Sequence, residues 1–159
     1  MKMPRSQSRV YTTAFFLLCV ARTADAGHSH FPNSEWTLNI AKSDLGQGPN
    51  VKSDVVTLSE DTDDWISYSE VAVGSNGKVT KLSWAGPQNG ELRPMSGMPG
   101  AMASFTTEDD SGHFIYPDGT SANNWFWASR DRRTLTYHVI GMKTDHSEFH
   151  QTLVYDRTR

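Results

Sequence analysis

Two histidines near the C-terminal end are the side chains best placed to do chemistry. His138 and His150 lie in "TLTYHVIG" and "SEFHQTLVYDR", two β-rich runs that read as one hairpin. Paired across it, their Cβ atoms would stand about 5 Å apart, near enough for two imidazoles to share one zinc ion. Zinc needs a third ligand, and Glu148 lies only diagonally to His138. The pair also falls on the polar face of the hairpin. We therefore read it as solvated, with no metal assigned. His28, near a cleaved N-terminus, could bind copper, but flexible termini commonly carry such residues. Met95, Met98 and Met102 could form a soft-metal site but read better as a gap-filling flap over a core. Glu108-Asp109-Asp110 and the Asp61–Asp64 run are acidic turns with no EF-hand spacing. No nucleophile elbow, zinc-protease helix or phosphate loop is present. No catalytic residue and no cofactor are assigned.

The second kind of chemistry is apolar capture. "WFW" sets Trp125, Phe126 and Trp127 side by side. Each aromatic can bury about 150–250 Å², a gross gain of about 4–6 kcal/mol before entropy is charged. Such a wall needs a dry enclosure. The expected ligand-binding set is Trp125, Trp127, Tyr137, Phe114 and Tyr116, faced by Trp65 or Tyr68 from across the molecule. Gln151 would be its polar handle. The competing reading is a filled core with Gln151 bonded to a tyrosine.

Strands must position these groups. Short alternating runs, "EWTLNIAKS", "KSDVVTLSE", "WISYSEVAV" and "KVTKLSW", are separated by glycine, proline and acidic turns. Asn76-Gly77 and Pro117-Asp118-Gly119 carry turn chemistry. A short strand is expected near Leu92, followed by a loop. No segment has a helical period. About eight to ten antiparallel strands result, closed as an up-and-down β-barrel or, alternatively, packed as a β-sandwich.

Hydrophobicity suggests a register for the last strands. Val139 opposite Phe149, Tyr137 opposite Gln151 and Leu135 opposite Leu153 give one apolar face. The other face then pairs His138 with His150. Turning at "SRDRR" puts Trp125 opposite Tyr137 and Trp127 opposite Leu135, with Phe126 outward. In this reading the odd-numbered residues of both strands face inward.

The N-terminus reads as an address. Lys2, Arg5 and Arg9 precede the apolar "AFFLLCVA", and Ala24-Asp25-Ala26 offers a small-x-small cleavage site. The expected organisation is a signal peptide over 1–26, a flexible segment over 27–33 and one barrel domain over 34–159. The protein would be secreted or periplasmic. Cys19, the only cysteine, would leave with the leader, so no disulfide is expected. The whole chain has 15 basic and 18 acidic residues. Removing a leader with Lys2, Arg5, Arg9 and Arg22 against one acid makes the remainder more acidic. That balance argues against nucleic acid and anionic membrane surfaces as partners. The leader's apolar run is too short for a transmembrane helix, which needs about 20 residues, and no later stretch qualifies.

From Ser34 to Arg157 the chain resembles small secreted bacterial proteins described as lipocalin-like. The matching stations are "EWTLNIAKSDLGQGP", "NGELRPMSG", "DGTS" and "RTLTYHVIGMKTDHSEFHQTLVYDR". Ser34-Glu35-Trp36 stands where wider lipocalins carry Gly-x-Trp, whose tryptophan plugs one end of the barrel. The resemblance implies that Arg157 packs over Trp36 in a structural cation–π contact. It also implies an up-and-down barrel that captures a small hydrophobic or amphiphilic molecule without catalysis. Two other classes stay open. A barrel isomerase or hydrolase would need an inward histidine or carboxylate. An interaction module would use Phe126 and Ile140 as an exposed patch, with protein partners unknown.

Overall fold

Ten antiparallel strands follow one another around a nearly closed barrel, as a computed structural model of the chain describes it for residues 30–159. The expected leader over 1–26, with Cys19, and His28 of the segment after it lie outside the described residues. The strands are β1 (Ser34–Leu38), β2 (Val51–Asp61), β3 (Trp65–Gly74), β4 (Val79–Pro87) and β5 (Arg93–Pro94). They continue with β6 (Met102–Thr106), β7 (Ser111–Ile115), β8 (Ser121–Ala128), β9 (Thr134–Met142) and β10 (Glu148–Arg157). One 3-10 turn, Ile40–Lys42, is capped by Asn39. The up-and-down antiparallel barrel expected from the turn spacing is thus the observed architecture, and it is compatible with a calycin-like fold.

Each strand pairs with its sequence neighbours, except at two places. β1 pairs with β10, which closes most of the ring. Between β4 and β5 the wall is completed by a bridge, Ser83 and Ser96 exchanging backbone hydrogen bonds of 3.0 and 2.9 Å. Gly97 makes that seam possible. It sits at φ +85°, and a Cβ there would stand 2.1 Å from the Lys81 carbonyl oxygen. No side chain fits such an approach.

The strands alternate inward and outward because one face of each is buried. Val56, Leu58, Ile66, Tyr68, Leu82, Trp84, Phe105, Phe114 and Leu135 form the main core. The β1 end of the barrel is plugged. Trp36 is fully buried, its indole N–H donates to Ser34 Oγ at 2.8 Å, and Phe31 meets its ring edge-on at 5.3 Å. The Arg157 guanidinium lies 5.6 Å from the Trp36 ring centre, and Arg132 lies 5.3 Å from that of Phe31. The cation–π contact implied by the resemblance is therefore present.

The expected registers need correction. In β9–β10 the pairing is shifted by two residues: Gln151 faces Val139, Leu153 faces Tyr137 and Tyr155 faces Leu135. Parity survives, so odd residues of both strands still point inward. His138 then opposes Thr152 and His150 opposes Ile140, leaving the imidazoles diagonal with centroids 6.4 Å apart. In β8–β9 the slip is odd: Trp125 pairs with His138, Phe126 with Tyr137 and Trp127 with Thr136. Strand β8 is turned over relative to expectation, with Phe126 inside and both tryptophans outside.

The cause is the length of the turn. Asp131 accepts from Ser129 Oγ at 2.6 Å and from the Arg133 N–H at 3.2 Å, while the Thr134 N–H donates to Ser129 Oγ at 3.0 Å. Arg132 takes the left-handed conformation, φ 57°. These bonds fix a four-residue loop where an odd loop was expected. Earlier in the chain, Tyr116 and Thr120 close a three-residue loop with Gly119 at φ +86°. Phe114 therefore pairs with Ala122. A turn centred on Asp118-Gly119 would instead have set Phe114 opposite Asn123, on the Trp125 face, so the two odd slips cancel and only β8 is inverted.

Candidate functional site

The interior is not filled. A cavity of about 700 Å³ runs along the barrel, within the range of about 300–1,000 Å³ usual for small-molecule sites. Its lining reaches from Phe31, beside the Trp36 plug, to a rim of Pro49 from the β1–β2 loop, Lys78, Met98, Pro117 and Asp118. Inward residues of the long strands line its body: Val56 and Leu58 from β2, Ile66 and Tyr68 from β3, Leu135 and Tyr137 from β9.

Of the sequence-selected residues, Tyr68, Phe114, Tyr116, Tyr137 and Gln151 line this cavity. Trp65, Trp125 and Trp127 do not. Trp65 is 41% exposed and Trp127 52%. Trp65 and Tyr68 differ in parity, so one strand cannot turn both inward. Phe126, expected outside, lines the cavity and packs 5.7 Å from Tyr137, which removes it from the surface patch considered with Ile140. Gln151 is buried, but its amide is engaged in holding the β1–β2 loop. It donates to the Leu45 carbonyl at 2.9 Å and the Pro49 carbonyl at 3.2 Å. Met95 is buried in the core and Met98 stands at the rim, consistent with a flap.

Every tyrosine among the described residues lines the cavity: Tyr68, Tyr116, Tyr137 and Tyr155. Burial raises the pKa of all four above the usual phenol range, and Glu70 or Asp54 adds to the effect. Rings interlock behind them. Phe105 meets Tyr68 and Phe114 edge-on, each at 5.6 Å, and Trp84 at 4.8 Å.

Sequence reasoning missed two carboxylates, Asp54 and Glu70. They come from adjacent strands: Asp54 pairs with Ala72 and Val56 with Glu70, so they sit diagonally on one inner face. Asp54 is 5% exposed. Its Oδ2 accepts from Tyr155 Oη at 2.7 Å, while Oδ1 has no hydrogen-bond partner. Glu70 is half-buried by exposure, yet the surface it keeps opens into the enclosed cavity. Burial, then the charge of Asp54, pushes its carboxyl up to about 8. Burial also raises Asp54, against the lowering pull of the Tyr155 bond and the Val55 N–H. Tyr68 Oη and Asn124 Oδ1 are likewise buried without a hydrogen-bond partner. The signal was in the sequence. Asp54 shares parity with Val56 and Leu58, and Glu70 with Ile66 and Tyr68.

His138 and His150 lie on the outer face, and His150 Nε2 is 2.6 Å from Glu148 Oε1. Among the described residues, no three His, Cys, Asp or Glu side chains are grouped to hold a metal ion, and no helix is long and apolar enough to cross a membrane. No protein-family model matches the chain, and no curated protein matches it. Fold and cavity therefore define the class: an antiparallel up-and-down barrel with a plugged base and an internal pocket.

Proposed function

We propose that the protein is an exported, lipocalin-like binder that holds one small hydrophobic or amphiphilic molecule inside the barrel without catalysis. The observation that carries this reading is the 700 Å³ cavity, walled by phenylalanine, tyrosine and aliphatic side chains with a few buried polar groups. That composition suits an apolar body with one polar end. The apolar leader supports export, and amino-terminal sequencing of protein collected outside the cytoplasm should begin just after Ala26.

Native mass spectrometry of protein purified gently from its own host should show a co-purified small molecule. A neutral fluorophore such as N-phenyl-1-naphthylamine should bind saturably. Ala72→Trp, which places an indole in the lining, should abolish that binding and leave the circular dichroism unchanged. A bare protein mass together with no saturable fluorophore binding would overturn the reading. Asp54 and Glu70 also meet the condition for a barrel isomerase, an inward carboxylate. Conversion of the bound molecule, seen as a changed product mass, would move the protein to that class.

A further inference from the structure

We infer, building on the binding reading, that the cavity selects amphiphiles headed by a primary ammonium, held between Asp54, Glu70 and Tyr68, over carboxylate-headed lipids of equal length. The lining carries four carboxylates, Asp54, Asp61, Glu70 and Asp118, against one ammonium, Lys78. Three of the four accept hydrogen bonds, but Asp54 only at Oδ2, from Tyr155, which leaves its Oδ1 without a partner. Asp61 accepts from the Phe31 N–H at 2.8 Å, and Asp118 from the Thr120 N–H at 2.9 Å. Lys78 sits exposed in the β3–β4 turn and forms no ion pair with Asp54 or Glu70 among the described residues.

Asp54 and Glu70 remain, with a specific shortage. Asp54 and Tyr68 are each more than nine-tenths buried, line the cavity, and carry an oxygen without a hydrogen-bond partner. Tyr68 and Glu70 are successive inward residues of β3, and Asp54 is diagonal to Glu70 on β2. Once Glu70 is ionised, one face of the wall thus offers three acceptors: Asp54 Oδ1, the Glu70 carboxylate and Tyr68 Oη. An alkylammonium has three N–H donors and no acceptor. A carboxylate headgroup would bring a further negative charge beside two acids. The aromatic and aliphatic remainder of the cavity would take the chain of either molecule equally.

The test displaces N-phenyl-1-naphthylamine from the full chain with decylamine, decanol and decanoate. At about pH 9, with Glu70 ionised and decylamine still charged, decylamine should displace it at a concentration at least about tenfold below decanoate. The double variant Asp54→Asn, Glu70→Gln should lose that preference, its affinity falling at least about tenfold more for decylamine than for decanol. The wild-type protein gives a second readout that needs no variant. Decylamine stays charged from about pH 6 to about pH 9, so its affinity should rise over that range as Glu70 ionises, while decanol stays flat. The groups facing this site are Asp54 and Asp61 of β2, Tyr68 and Glu70 of β3, Lys78 and Asp118 at the rim, Tyr116 after β7, Tyr137 of β9 and Tyr155 of β10. Equal or tighter binding of decanoate, or a decylamine affinity that does not rise with pH, would overturn the inference. A fluorophore that binds without headgroup preference defeats this inference alone. A fluorophore that does not bind defeats the binding reading with it.

Discussion

The Tyr155 hydroxyl donates to Asp54 Oδ2 at 2.7 Å, tying β10 to β2 across the inner face of β1. It is the one side-chain hydrogen bond that Asp54 receives among the described residues. Tyr155→Phe deletes it and keeps the ring that packs 5.3 Å from Tyr137. We expect a loss of about 1–3 kcal/mol at neutral pH, because a buried carboxylate loses a donor. The loss should shrink in acid as Asp54 takes up a proton. Urea unfolding of both proteins at two pH values checks this.

Glu70 gives stability a pH slope of known sign. Its carboxyl is pushed up to about 8 in the folded protein and returns to its ordinary 4.5 when unfolded, so between those values the folded state holds more protons. Stability should therefore fall as pH rises from about 4.5 to about 8, and the raised Asp54 adds in the same direction. Glu70→Gln should flatten the slope. It should stabilise the protein at pH 8 by about 1–3 kcal/mol, less than the full shift implies because the cavity admits solvent. Thermal melts across this range provide the measurement. A wild-type melting temperature that climbs from acid to pH 8 would contradict the assignment.

The orientation of β8 can be tested with neighbouring residues. Phe126 lines the cavity and packs on the core, while Trp127 is 52% exposed. Phe126→Ala should cost about 1–3 kcal/mol and weaken fluorophore binding. Trp127→Ala should cost less than about 1 kcal/mol and leave binding intact. The reverse order would restore the parity expected from the sequence.

Gly97→Ala probes the β4–β5 seam. Both the positive φ and the 2.1 Å approach to the Lys81 carbonyl forbid a side chain. A loss of about 2–4 kcal/mol is expected. Hydrogen exchange should quicken first at the Ser83 and Ser96 amides, which carry the bridge.

Alternation in "EWTLNIAKS" and "WISYSEVAV", with turn residues between the runs, was enough to read an all-β barrel of about the observed strand number. Trp36 and Arg157 could be paired because their positions matched a known pattern. Loop parity could not be read from hydrophobicity. "SRDRR" accommodates an odd or an even loop, and only the Ser129–Asp131 hydrogen bonds decide between them. The bulk of Trp125 and Trp127 does not imply burial, and neither lines the cavity. The chain instead buries the smaller Ala122 and Phe126 from β8 and leaves room in the interior. Asp54 and Glu70 were legible in principle, as acids on apolar parity. Charged residues in strands usually face water, which masks that signal.

Sealing the base with Trp36 and Arg157 has a kinetic consequence. With that end closed, a newcomer cannot push the resident out from behind. Exchange must wait for spontaneous departure through the rim, so adding more competitor will not hasten release.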